Sequence, residues 1–317
     1  MITAHDRKSF LSAAVRSAID AGADEVIVVR NFSGPVDGCE GRYRDLPCAV
    51  PETNAKEAAG LEVASGDLVG FLDDDDLWAP EKGATLRALF GADPDLVYYC
   101  HAQAPIDETG HDVRDRHPEF GARRPSPETS GSAGGFVRLV THWPGNNSST
   151  VVRRDWASGT LGVVREAGWA ADLTWFATAA LSGRRYRVGP ELLTLLRLHL
   201  ENMSHAGDST PEAFRAHHRL SSERFGRATS ALARLAAERA GPTSKIGRYL
   251  AELAVGYHFL AALEAGEHPR RAAVTALRRG PGLRNRGVTG TALVALASPG
   301  LARRLLYRSS QRRWSRG

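Results

Sequence analysis

Four consecutive aspartates, Asp73 to Asp76, are the residues of this sequence with the clearest capacity for chemistry. Four adjacent carboxylates repel one another, so a segment that brings them to one point requires a compensating cation or full exposure to water. Hard divalent cations such as Mg²⁺ or Mn²⁺ take oxygen ligands, usually one or two carboxylates together with substrate phosphates and water. In an extended segment Asp73 and Asp75 point to one side and Asp74 to the other. The run predicts a metal site, and an exposed acidic turn before the next helix is the alternative.

The elements around the aspartates alternate between helix and strand. Apolar residues at helical spacing over 10–19 precede an apolar strand at 26–29, and a helix at 54–64 precedes a second strand at 68–72. This rhythm is typical of a parallel α/β sheet. The acids therefore follow a strand's carboxyl end, where open α/β sheets place ligands. Only residues 1–3 remain for a strand before the first helix, so we expect that strand to be shortened.

Two segments rich in Gly, Pro and polar residues are predicted to be irregular, namely 33–51 and 103–135. The second lies near the predicted site and is a candidate lid. The remaining pattern before residue 208 predicts helices at 80–90 and 169–181 and strands at 96–100, 148–152 and 192–199.

The stretch from Phe71 to Lys82 resembles the pattern Phe-Leu-Asp-x-Asp-Asp-x-Trp-x-Pro-x-Lys, a hallmark of family 2 inverting glycosyltransferases of the GT-A fold. Residues 2–7 resemble that family's opening strand and Thr-Tyr-Asn-Arg turn, with His5 for Tyr and Asp6 for Asn. Residues 60–66 resemble its Gly-Ile-x-x-Ala-x-Gly segment. The resemblance covers roughly the first hundred residues, and the combination is more specific than any single motif.

The resemblance implies that Asp73 and Asp75 form the family's DxD element, with Asp75 on the metal and Asp73 on the nucleotide. Asp76 is a further metal candidate. A bound Mn²⁺ or Mg²⁺ would stabilise the charge that develops on the departing nucleoside diphosphate. The residues expected to bind the nucleotide sugar are Thr3, Asp6, Arg7, Asn31, Asp73, Asp74 and Arg197.

One departure from the family pattern concerns the donor nucleotide. After the second strand the family usually reads Asp-Asp-Gly-Ser, whereas this chain reads Arg30-Asn31-Phe32-Ser33. Asn31 can still hydrogen-bond a base. Arg30 either reaches a phosphate or is a solvated surface residue.

Inverting transfer requires a carboxylate that takes the proton of the acceptor hydroxyl. Residues 170–176 resemble the family's helix opening with Glu-Asp before a Trp, with Ala171 replacing the Glu, and this implies that Asp172 is the general base. From the local sequence alone, Asp172 is interpreted as a carboxylate that is favoured at a helix N-terminus. Arg197 and His199 resemble the family's closing Arg-x-His and share one strand face. We expect Arg197 at the diphosphate and His199 on the metal, unless His199 only satisfies neighbouring carbonyls.

Composition separates the chain into two regions. With 317 residues and 42% hydrophobic content, one catalytic domain plus an appendage is expected. We predict a catalytic domain at 1–208 and a helical, basic region at 209–317, whose last stretch, 293–314, alternates apolar residues with arginines. This stretch is either an amphipathic helix on an anionic membrane surface or part of a helical bundle on the catalytic domain.

Several classes of function are disfavoured by the sequence. Zinc-finger, RNP and KH signatures are not found, so we expect no nucleic-acid partner. The cysteines Cys39, Cys48 and Cys100 lack metal-ligand spacing, and their odd number disfavours a disulfide framework. No apolar run approaches the ~18 residues of a membrane span. We expect a cytoplasmic protein, with the inner membrane face as an option.

These observations predict a GT-A type α/β sandwich with a mostly parallel central sheet, followed by a helical C-terminal region. The predicted activity is metal-assisted, inverting transfer from a nucleoside-diphosphate sugar to a glycan, lipid-linked or small-molecule acceptor, as in cell-surface polysaccharide or glycolipid synthesis. One alternative is a sugar nucleotidyltransferase, although the Gly-rich phosphate loop typical of that class is not found after the first strand. Another is a non-catalytic, glycosyltransferase-like binding module at the membrane surface.

Overall fold

A computed structural model of the chain describes residues 1–6, 9–117, 128–140, 145–199, 210–279 and 286–314. The chain divides into two compact units, Met1–Leu198 and His199–Gly317. The predicted boundary after residue 208 falls among residues 200–209, which lie outside the described part.

The N-terminal unit begins with helices and strands in alternation. In chain order its first elements are β1 (Ile2–Ala4), α1 (Leu11–Asp20), β2 (Ile27–Arg30), β3 (Arg44–Pro47), α2 (Thr53–Val63), β4 (Leu68–Gly70), β5 (Leu72–Asp73), β6 (Leu77–Trp78) and α3 (Lys82–Ala92). The elements that follow are β7 (Leu96–Ile106), β8 (Glu128–Ser130), α4 (Ala133–Val140), a 3₁₀ turn (Asn147–Ser149), β9 (Thr150–Arg153), α5 (Arg154–Ser158), α6 (Leu161–Ala167), α7 (Ala171–Leu181) and β10 (Arg185–Arg197).

The first sheet is parallel and has the strand order β3-β2-β1-β5. Its central strand places Ile2 opposite both Val28 and Leu72, and these three side chains are fully buried. Burial on both faces explains the apolar character of residues 27–29 in β2. Because β1 and β5 run in the same direction, the residues that follow them, including the aspartates, emerge at one edge of the sheet.

The second sheet is mixed and has the order β4-β9-β7-β10-β6, with β8 paired to β10. Strands β7 and β10 are parallel, whereas β9 is antiparallel to both β4 and β7. The predicted strand 68–72 is divided between the two sheets, since β4 joins the second and β5 the first. Between them the Phe71 N–H donates to the Thr150 carbonyl at 3.0 Å, and the chain crosses from one sheet to the other at that residue.

The prediction that residues 33–51 are irregular is wrong in part, because Arg44–Pro47 form β3 in parallel register with β2. Three of these four residues are exposed, and the strand lies at the sheet's edge. Its sequence, Arg-Asp-Leu-Pro, contains a single apolar strand former, so backbone pairing with β2 forms this strand where propensity does not predict it.

The C-terminal unit is helical, as predicted. Its helices are α8 (Pro211–Ala240), α9 (Lys245–Ala265), α10 (Pro269–Arg279), α11 (Arg286–Ala297) and α12 (Pro299–Trp314). The first two begin at side-chain caps, because the hydroxyls of Thr210 and Ser244 accept hydrogen bonds from the N–H groups of Ala213 and Gly247. In the part of the chain that the structure describes, no helix is both long and apolar enough to cross a bilayer.

Candidate active site

Asp73 is held where β5 meets β1 and the 3₁₀ turn. Its Oδ1 accepts hydrogen bonds from the Asn147 amide at 3.0 Å and from the Thr3 hydroxyl at 3.4 Å. Its own N–H donates to Ser148 Oγ at 3.0 Å. Hydrogen bonds with β1 and with the 3₁₀ turn therefore hold Asp73 in place.

Arg197, at the end of β10, holds the other side of the acidic turn. Its N–H donates to Asp76 Oδ1 at 2.8 Å, and its Nε donates to the Asp75 carbonyl at 2.8 Å. Nη1 donates to the carbonyls of Asp107 and Glu108 at 3.1 and 2.8 Å. Arg197 thus positions the backbone that carries the aspartates.

The four aspartates differ in burial. Asp73 and Asp75 are half-buried, whereas Asp74 and Asp76 are only 5% and 1% exposed. Burial, followed by repulsion from Asp75, raises the pKa of Asp73 to about 7. The same two causes raise the pKa of Asp76 well above its usual range. A cation beside Asp75 would relieve this repulsion, which is an electrostatic reason why these residues suit a metal.

The described residues contain no group of three or more His, Cys, Asp or Glu side chains arranged to hold a metal. A hard cation at Asp75 would bind one or two carboxylates and take its other ligands from substrate phosphates and water. Asp76 is buried and already accepts from Arg197. His199 belongs to the C-terminal unit and Asp75 to the N-terminal unit.

Asp172 lies in the first turn of α7. The residue before the helix, Ala170, has a left-handed backbone with φ of 57°, which turns the chain into the helix. Asp172 Oδ1 accepts from the Leu173 N–H at 2.8 Å. Burial raises the pKa of Asp172, and its charge contributes to the raised pKa of Asp73.

Glu57 on α2 is a fully buried carboxyl group that connects α7 to the aspartates. Its Oε2 accepts from the Trp175 indole at 2.7 Å. The Asn147 amide, which donates to Asp73, is also close enough to Glu57 to lower its pKa by hydrogen bonding. Burial outweighs these donors and raises the pKa of Glu57 to about 8. Trp175 further stacks on Phe71, with the ring centroids 5.3 Å apart.

Two buried lysines hold the backbone near the site. Lys82, the last residue of the Phe71–Lys82 motif, donates to the Ser148 carbonyl at 2.8 Å and lies 4.4 Å from the Trp78 ring centroid. Lys56 donates to the Ala4 carbonyl at 2.7 Å. The motif lysine thereby anchors the turn that supplies Asn147 and Ser148 to Asp73.

Asp6 and Asn31 meet beyond the ends of β1 and β2. Asn31 Nδ2 donates to Asp6 Oδ1 at 2.7 Å, and the Asp6 N–H donates back to Asn31 Oδ1 at 3.0 Å. Arg7, a further predicted nucleotide contact, lies outside the described residues. Arg30 follows neither expected alternative, because it is buried and its guanidinium forms two hydrogen bonds to the Asp45 carboxylate at 2.8 and 2.7 Å.

The structure brings most of the predicted residues of the N-terminal unit to one edge of the first sheet. Sequence reasoning missed Glu57. In the structure Asn54, Glu57, Ala58 and Leu61 share one buried face of α2. Their helical spacing is readable in the sequence, but the burial of the two polar members is not.

Comparisons with known proteins agree with this geometry. Residues 1–143 match the profile described as Glycosyl transferase family 2. No protein with a curated description matches the chain. The crystal structure of S. aureus TarS 1–349 in complex with UDP-GlcNAc is 14% identical, with a TM-score of 0.51 over 97% of this chain and 91% of that chain. The structure of TarS 1–349 without a named ligand is also 14% identical, with a TM-score of 0.50 over 97% and 90%.

A third similar structure is the mannosyltransferase PcManGT from Pyrobaculum calidifontis in complex with GDP-Man and Mn²⁺. It is 13% identical, with a TM-score of 0.50 over 98% of this chain and 82% of that chain. At such identities the structural likeness establishes the fold alone, and that fold is of the GT-A type. The match to glycosyl transferase family 2 covers residues 1–143, which is less than half of the chain.

Proposed function

We propose that the chain is a glycosyltransferase that moves a sugar from a nucleoside-diphosphate sugar to an acceptor hydroxyl with inversion at the anomeric carbon. The observation that carries the proposal is the connection between Asp172 and Asp73. The Trp175 indole donates to Glu57, and the Asn147 amide, which donates to Asp73, also hydrogen-bonds Glu57, so the elements that carry the two aspartates are linked. This link supports a candidate base and a candidate donor-binding acid in one site, as direct displacement requires.

In the proposed reaction the acceptor oxygen forms a bond to the anomeric carbon while the bond to the diphosphate oxygen breaks. The electron pair of the breaking bond leaves with the nucleoside diphosphate. Asp172 takes the proton of the acceptor hydroxyl. The raised pKa of Asp172 makes this carboxylate a better proton acceptor than an exposed aspartate. Asp73 would contact the nucleotide, and Asp6 with Asn31 would contact its base.

A divalent cation fits the acidic turn because burial and then repulsion from Asp75 raise the pKa values of Asp73 and Asp76. Asp75 would hold Mn²⁺ or Mg²⁺, with Asp76 as a further candidate ligand. The bound cation would neutralise charge on the leaving diphosphate. PcManGT, whose structure contains GDP-Man and Mn²⁺, and TarS, whose structure contains UDP-GlcNAc, support a nucleotide-sugar donor.

The stereochemical part of the proposal is tested by the configuration of the product. Proton NMR of the first product formed from an α-linked donor should show a β-linked sugar. An α-linked first product would contradict direct displacement by an acceptor that Asp172 deprotonates. We further propose that the acceptor is a glycan, lipid-linked or small-molecule hydroxyl compound used in cell-surface polysaccharide or glycolipid synthesis.

A further inference from the structure

The C-terminal unit carries an exposed stripe on α12 in which leucines and arginines alternate. Leu301 and Leu305 are 44% and 46% exposed, and Arg304 and Arg308 are exposed beside them. Their spacing over two turns places all four side chains on one face of the helix. We name Leu301, Arg304, Leu305 and Arg308 the α12 stripe.

The α12 stripe remains exposed after the helices of this unit have packed. The opposite face of α12 is used internally, because Ala302 is 1% exposed in the core formed with α9, α10 and α11. The Tyr307 ring contacts Phe214 of α8 at 5.5 Å between centroids. Leu293 of α11, at 57%, is the most exposed large apolar residue in the described chain. These leucines are therefore available to a partner.

In the sequence segment that contains the stripe, the charged side chains are of one sign. No Asp or Glu follows Glu267, whereas the same segment contains twelve arginines, namely Arg270, Arg271, Arg278, Arg279, Arg284, Arg286, Arg303, Arg304, Arg308, Arg312, Arg313 and Arg316. Neither arginine of the α12 stripe forms an ion pair within the described parts of the chain. Such a segment attracts an anionic surface and repels a basic one.

We propose that the α12 stripe docks on a membrane surface rich in anionic lipid. Arginines near such a surface are attracted by its negative potential, and their aliphatic stems lie along apolar surface while the guanidinium groups stay in water. Leucines at the same depth enter the boundary between headgroups and acyl chains. Nucleic acid would satisfy the arginines through its phosphates but leave the leucines in water. The proposal is independent of the transfer reaction, and its test does not use activity.

The test is sedimentation of the full chain with vesicles. Vesicles of phosphatidylglycerol and phosphatidylcholine in equal parts should carry the protein down, vesicles of phosphatidylcholine alone should not, and added salt should weaken binding. Arg304→Glu with Arg308→Glu should raise the lipid concentration for half-binding about tenfold or more. Leu301→Ser with Leu305→Ser should also weaken binding. The matched control, Arg239→Glu with Arg248→Glu, changes the net charge equally at exposed positions of α8 and α9 and should bind like the wild type.

Failure to bind anionic vesicles, or equal loss in the control pair, would overturn the proposal. So would a duplex DNA fragment that competes with vesicles and loses affinity in the Arg304/Arg308 variant, because the surface would then be a nucleic-acid site. Thermal melting of each variant verifies folding. If the charge reversal unfolds the chain, Arg304→Gln with Arg308→Gln provides the same comparison.

Discussion

The Trp175 indole donates a 2.7 Å hydrogen bond to the fully buried carboxyl group of Glu57. Trp175 lies one helical turn after Asp172 on α7, and Glu57 lies on α2. The bond therefore ties the helix of the candidate base to the element beside the aspartates. Because both partners are buried, removing either one leaves a polar group without compensation.

This buried carboxyl group predicts a pH-dependent stability. The pKa of Glu57 is raised from 4.5 to about 8, so the folded chain binds more protons than the unfolded chain between these values. Stability should therefore fall as pH rises through this window, by on the order of 3–5 kcal/mol from this group. Urea unfolding should show that the free energy of unfolding decreases less from pH 5 to pH 8 in Glu57→Gln than in the wild type. Glu62→Gln changes an exposed position on the same helix and is the control. Its free energy of unfolding should decrease as much as that of the wild type.

Asp172→Asn should abolish transfer, with a loss of about 10²- to 10⁴-fold in kcat, because the amide cannot take the acceptor proton. Its folding should be unchanged. Asp155→Asn is a matched control, since Asp155 also lies in the first turn of a helix and accepts from the next N–H, at 2.6 Å. Retained activity in Asp172→Asn would show that this residue only stabilises its helix.

Asp75→Asn should remove the Mn²⁺-dependent part of donor binding. In the wild type, a donor that binds the folded chain at a hundred times its Kd should stabilise it by about 2.7 kcal/mol, which thermal melting detects. The stabilisation should vanish with EDTA and in the variant. Asp24→Asn, a highly exposed aspartate of the same unit, should behave as wild type. Undiminished Mn²⁺-dependent stabilisation in Asp75→Asn would place the metal elsewhere.

Asn147→Ala should shift the acidic limb of the pH–activity profile to higher pH. The Asn147 amide stabilises the charged form of Asp73 and lowers its pKa, so its removal raises that pKa further. A larger fraction of Asp73 is then protonated at neutral pH. Asn146→Ala is the control, because it removes a neighbouring amide whose oxygen accepts from the Ser149 N–H. The acidic limb of its pH–activity profile should match that of the wild type. An unshifted limb in Asn147→Ala would mean that protonation of Asp73 does not control the reaction.

Much of this site was predictable because its signals are local in sequence. The aspartate run follows an apolar strand, and the motif through Lys82 has a fixed spacing. β3 was not predictable, since pairing with β2 forms it. The hydrogen-bond partners of Asp73 could not be predicted either, because Asn147 lies 74 residues away in the chain.

The partners of Arg30 and Arg197 could not be predicted for the same reason, because they are distant in the sequence. A single arginine in a sequence fits a phosphate contact, a solvated position or a buried pair. Arg30 pairs with Asp45, and Arg197 holds the backbone of Asp75, because folding places those acceptors beside them. Only the tertiary structure distinguishes these outcomes.

Phosphorus NMR of the purified chain with Mn²⁺, an acceptor and a panel of nucleoside-diphosphate sugars tests the central claim most directly. We predict that one donor releases its nucleoside diphosphate, that release requires Mn²⁺ or Mg²⁺, and that Asp172→Asn stops it while Asp155→Asn does not. Release of pyrophosphate instead would indicate a nucleotidyltransferase. Release from no donor, with metal binding retained, would indicate a non-catalytic binding module, and either result would contradict the proposed transfer.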